Sequence, residues 1–118
     1  MFPPAVLARL FVKGSLKNTP NGFELKLKNN IDSGTITGLS LSVDETAVPA
    51  EAVTVAVGAK EFNGSEITSR TPVTVWAYIE ITLKVAGAPL APGSHPINFQ
   101  VLTREAGKLQ FSVTEEVG

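Results

Sequence analysis

Apolar and polar residues alternate with a period of two along most of this chain. The longest such run is V-T-V-W-A-Y-I-E-I-T-L-K-V, Val73 to Val85. Val73, Val75, Ala77, Ile79, Ile81, Leu83 and Val85 share one parity, and Thr74, Trp76, Tyr78, Glu80, Thr82 and Lys84 share the other. Successive side chains of a strand point to opposite faces. The run therefore predicts one long strand whose aliphatic face lies on a second layer and whose mixed face meets solvent or a partner.

Shorter runs repeat the pattern. Phe23, Leu25 and Leu27 alternate with Glu24, Lys26 and Lys28. Leu10, Val12 and Leu16 predict a strand over Ala8–Lys17, with Phe11 off parity on the side of Lys13 and Lys17. Asn18-Thr19-Pro20-Asn21-Gly22 is turn chemistry, because Pro presets an early turn position and Asn-Gly tolerates positive φ. A hairpin between Ala8–Lys17 and Phe23–Asn29 follows. Thr35–Val43 predicts a third strand with a bulge at Gly38, ended by a polar turn at Asp44-Glu45-Thr46. Val53, Val55 and Val57 make a short strand that turns back at Gly58-Ala59, and a short helical turn fits Ser65-Glu66-Ile67. After Pro92-Gly93, two further inward sets are Ile97, Phe99, Val101 and Leu109, Phe111, Val113. The tandem Pro3-Pro4 makes residues 1–7 an extended apolar arm that folds back or docks on another subunit.

No segment keeps a helical period, and turn signals recur about every 8–12 residues. The expected architecture is one all-β domain, residues 1–118: a two-layer antiparallel, immunoglobulin-like β-sandwich of seven or eight strands.

Composition narrows the function classes. A net charge of −1 gives no broad basic surface for nucleic acid. No run approaches the roughly 18 apolar residues of a membrane span, and no basic stretch precedes the short apolar start as in a leader. The chain has no cysteine, hence no disulfide or thiolate site. A complete, soluble, cytoplasmic protein is expected.

Candidate chemistry is sparse. His95 is the only histidine, so no cluster of histidines can hold a metal within one chain. Between Pro92-Gly93-Ser94 and Pro96 its ring is expected to bond turn carbonyls. Asp44 and Glu45 serve a turn rather than form a catalytic or calcium pair. Asn63-Gly64-Ser65 matches a glycosylation acceptor, which has no meaning without secretion. No serine stands in a nucleophile elbow and no glycine pattern fits a phosphate loop. No catalytic, metal or cofactor-binding residues are assigned. The one surface anomaly is Trp76 with Tyr78, the sole Trp and Tyr, expected on the outer face. Large exposed aromatics call for a cover. The chain's own arm or a loop, a protein partner and a stacked sugar are the three options. Trp76, Tyr78, Glu80, Phe2 and Phe11 form the expected interface or ligand face.

Several stretches together resemble the small β subunit of bacterial C-glycoside deglycosidases. They are Gly14-Ser15-Leu16-Lys17-Asn18 with Gly22-Phe23, Thr35-Ile36-Thr37-Gly38 leading to Leu41-Ser42-Val43-Asp44, and Leu90-Ala91-Pro92-Gly93-Ser94-His95. Glu45 stands where that pattern has Gly. The resemblance implies an accessory subunit of a carbohydrate-active lyase complex. A catalytic barrel subunit would carry the divalent metal, and this chain would hold no cofactor. A stand-alone homo-oligomeric sandwich, and a sugar- or small-ligand-binding module using Trp76 and Tyr78, are the alternatives.

Overall fold

The computed structural model describes residues 3–117. Its strands are β1 (Lys17–Thr19), β2 (Gly22–Lys28), β3 (Gly34–Val43), β4 (Thr46–Ala47), β5 (Val53–Val57), β6 (Lys60–Asn63), β7 (Val73–Val75), β8 (Glu80–Ala86), β9 (Gly93–Thr103) and β10 (Gly107–Val117). One sheet has the order β1-β2-β8-β5-β6. The other runs β10-β9-β3-β4, with β7 also paired to β3. Every pairing is antiparallel. The fold is thus the expected all-β sandwich. β2-β8-β5 and β3-β9-β10 occupy the places of strands B-E-D and C-F-G in an immunoglobulin domain. Its ten described strands exceed the expected seven or eight, because the long run Val73–Val85 is divided and two-residue β4 carries no pattern of its own.

Alternation decides what is buried. Leu25, Leu83 and Val55 of one sheet face Ile97 and Phe99 of the other, and all five side chains are essentially inaccessible. Phe99 stacks on Phe111 with centroids 4.9 Å apart. Gly22 can only be glycine: its φ is +154°, and a Cβ there would lie 1.9 Å from the Val85 carbonyl oxygen. The expected bulge at Gly38 is present as a register shift between Ile36 and Gly38.

Four expectations are corrected. The run Val73–Val85 is not one strand. β7 pairs with β3 in one sheet, the chain turns a corner at residues 76–79, and β8 pairs with β2 and β5 in the other sheet. Both halves keep the same parity inward because each faces the shared core from its own side.

Of the strand expected over Ala8–Lys17 only the last residue, Lys17, lies in β1, and Phe11 makes an isolated bridge to Leu27. Pro4–Leu7 is a single α-helical turn continued by a 3-10 turn, Ala8–Leu10. Pro4 takes the first helical position, where its missing N–H costs nothing, and Val6 and Leu7 N–H groups donate to the Pro3 carbonyl at 3.0 and 3.1 Å. The expected extended arm is therefore helical over these residues, and it packs on β10 with Leu7 buried. Phe11, expected off parity on the outside, is 8% exposed and tilts against Phe99 at 6.3 Å. It follows a helical turn rather than a strand, so strand parity does not govern it.

A cleft beside an aromatic corner

The corner starts where β7 leaves its sheet. Asn29, at the end of β2, holds it from below. Its side-chain amide donates to the carbonyls of Val75 (3.2 Å), Trp76 (3.3 Å) and Asp32 (2.6 Å). Its own backbone carbonyl accepts the Tyr78 N–H at 2.6 Å, and its N–H donates to the Ile79 carbonyl at 3.0 Å. Ser33 Oγ accepts the Ala77 N–H at 3.1 Å. Thus fastened, Tyr78 adopts φ +66°, a region a bulky L-residue occupies only when its surroundings enforce it. Trp76 is 66% and Tyr78 70% exposed. Glu80 follows at the start of β8 and pairs with Lys26 at 3.5 Å in open solvent.

Beside this corner a cleft of about 940 Å³ opens between the two sheets, bounded by the turns that carry Leu7 and Leu10, by loop 29–33 and by the β9–β10 hairpin. Both sheets supply aliphatic walls, Ile36 and Leu39 from β3 and Val57 from β5, with Leu10 and Leu109 at the flanks. These five remain only half-buried, unlike the core behind them. Lys28, Asp32, Glu105 and Lys108 are exposed at the mouth. The Thr35 N–H (2.8 Å) and hydroxyl (2.9 Å) both donate to Glu105. The Thr35 backbone bond first, then the hydroxyl, holds the Glu105 carboxyl below the usual carboxylate range. Among the described residues neither Lys28 nor Lys108 is in ion-pair contact with a carboxylate. Trp76 and Tyr78 stand at the rim and do not line the cleft.

His95 lies at the opposite end. It is 7% exposed at the start of β9, on the order of 20 Å from Val101 by strand rise. Nε2 meets the Ala91 carbonyl at 2.6 Å, and Nδ1 meets Asp44 Oδ2 at 2.7 Å. Both partners are acceptors, so only the imidazolium, with two N–H groups, satisfies both. The Ala91 carbonyl, then the Asp44 carboxylate, raises its pKa above the ordinary histidine value. Asp44 and Glu45 form the tight β3–β4 turn, with φ +53° and +67°. Among the described residues no group of three or more His, Asp or Glu is placed to hold a metal ion, and no helix is long and apolar enough to cross a membrane.

Of the five expected face residues, the structure gathers Trp76, Tyr78 and Glu80 at one corner. Phe11 is withdrawn to the core, and Phe2 lies outside the described residues. The cleft went unforeseen. Its walls come from strands far apart in sequence, and half-buried aliphatics read the same as core ones. Asn29 could have been suspected only as a turn residue.

The family model described as "Hydroxymethylglutaryl-CoA reductase, N-terminal domain" matches residues 6–118. No curated protein matches the chain. The family match overturns the likeness to the C-glycoside deglycosidase small subunit, and with it the role of lyase accessory subunit. The stretches that carried that likeness are hairpin turns and strand starts, which any short-looped sandwich needs. The expectation of a metal-bearing barrel partner rested on the same likeness and loses its basis.

Proposed function

Because the chain belongs to the family of the hydroxymethylglutaryl-CoA reductase N-terminal domain, we propose that it is a non-catalytic domain that docks on the remainder of such a reductase through the corner Trp76–Glu80. The observation that carries this reading is the match over nearly the whole sandwich, to a family described as a domain of a reductase, and it supports the role of a domain rather than of an entire reductase. The corner supports the choice of surface. Two large aromatics stand exposed on a backbone fixed by Asn29 and Ser33. Rigid, amphipathic Trp and Tyr are the side chains that carry most binding energy in protein interfaces. Glu80 adds a charge at the edge of the patch. The one histidine, engaged on both nitrogens at the far end, is not available for proton transfer at either the corner or the cleft. A chain without cysteine suits a reducing compartment, and we place it in the cytoplasm.

The test is direct binding between the purified chain and a purified hydroxymethylglutaryl-CoA reductase lacking the matched domain, measured by calorimetry. Saturable binding is expected, and Trp76→Ala with Tyr78→Ala should weaken it about 100-fold or more. Absence of binding, or binding indifferent to both substitutions, would refute the assignment of this surface. Consumption of hydroxymethylglutaryl-CoA by the isolated chain, with a reduced nicotinamide supplied, would refute the non-catalytic role.

A further inference from the structure

The geometry points to the cleft as a binding site for an amphiphile with an aliphatic chain and a carboxylate head. This goes beyond the docking role proposed above and does not rest on it. Size comes first: about 940 Å³ lies toward the upper end of the roughly 300–1,000 Å³ that small-molecule sites occupy. The space is walled by both sheets, a shape that takes a slender molecule end-on rather than a protein surface face-on.

The walls supply the second argument. Ile36, Leu39 and Val57 pack against the core on one side, yet they are left half-exposed toward the cleft. Water lying on such concave apolar surface is what an alkyl chain displaces favourably.

The mouth supplies the third. Its two carboxylates are already committed: Asp32 accepts the Ser33 N–H at 2.8 Å, and Glu105 accepts the Thr35 N–H and hydroxyl. Its two ammonium groups, Lys28 and Lys108, contact no carboxylate among the described residues. Among the described residues the two ammonium groups are the mouth charges without a hydrogen-bond or ion-pair partner, and they favour an anionic head. Two cations against two anions leave no net charge there, so long-range attraction is small. The alkyl chain supplies most of the affinity and the head sets the direction of entry.

Calorimetric titration of the full chain with octanoate, decanoate and dodecanoate, each below its micellar concentration, tests this. Affinity should rise by about fourfold per methylene added. The matching alcohols should bind several-fold more weakly. Lys28→Met with Lys108→Met should erase that difference and leave the increment per methylene unchanged. Leu39→Trp, which fills the cleft, should abolish binding in a protein that still unfolds cooperatively. If that variant does not fold, Val57→Phe takes its place. No binding, affinity independent of chain length, or binding that survives filling of the cleft would each overturn the proposal. Because only the isolated chain is used, failure here leaves the reductase docking untouched, and loss of docking leaves this site untouched.

Discussion

Protonation of His95 should make this fold more stable in mild acid than in mild base. The imidazolium donates to the Ala91 carbonyl and to Asp44, and so ties the start of β9 to the β3–β4 turn. Neutral imidazole has one N–H and leaves one of these acceptors facing a lone pair. A hydrogen bond to a charged group contributes roughly 1.5–3 kcal/mol. The Asp44 side chain is 48% exposed and can be rehydrated, so a net loss of about 1 kcal/mol is expected. Glu115 is the cross-strand neighbour of His95, but its carboxylate accepts the Gly14 N–H at 3.0 Å and the imidazole's ion pair is with Asp44. The folded pKa is raised above the unfolded value. The contribution is therefore complete below about pH 6.5, the unfolded histidine value, and disappears as pH rises through the folded pKa. Urea unfolding followed by far-ultraviolet circular dichroism between pH 6 and 9 reads this out. Trp76 fluorescence is a poor reporter because the indole is already in water. The midpoint should fall by about 0.3–1 M urea over that range. In His95→Gln, which keeps a donor but cannot titrate, the slope should vanish. A flat wild-type profile, or a slope that persists in His95→Gln, would refute the doubly donating imidazolium.

Two further outcomes can be stated. Phe99→Ala removes a ring that is 1% exposed and sandwiched by Phe111 and Phe11; it should cost about 3–5 kcal/mol in chemical denaturation. At the corner, Tyr78→Gly should be more stable than Tyr78→Ala by about 1 kcal/mol, because φ is positive there. An ordinary strand position gives the opposite order, so melting temperatures that favour alanine would show the backbone is not held in that region.

The layers were legible because burial and parity coincide wherever a strand lies over the core, as at Phe23, Leu25, Leu27 and Ile97, Phe99, Val101. The corner was not legible for the same reason. Val73, Val75, Ile81, Leu83 and Val85 face one core from two sheets, so parity passes through residues 76–79 without a break. No Gly or Pro marks the bend. It is imposed by Asn29, more than 40 residues earlier, and a long-range hydrogen bond leaves no local trace. Trp76 and Tyr78 were nonetheless expected outside and are outside, since the parity that placed them opposite the aliphatic set passes unbroken through the corner. Phe11 failed because a proline that discourages helix in the residue before it can itself begin a helical turn.

The passage of the chain between the layers has a consequence for how the molecule assembles and breaks. It changes sheet between β2 and β3, β4 and β5, β6 and β7, β7 and β8, and β8 and β9. No contiguous half of the polypeptide contains a whole layer. Four of the eight described pairings, β2-β8, β5-β8, β3-β7 and β3-β9, join strands far apart in sequence and wait on closure of long loops, so refolding belongs in the millisecond-to-second regime of high-contact-order sandwiches. A proteolytic nick in any connection would release fragments that have no autonomous structure to retreat to.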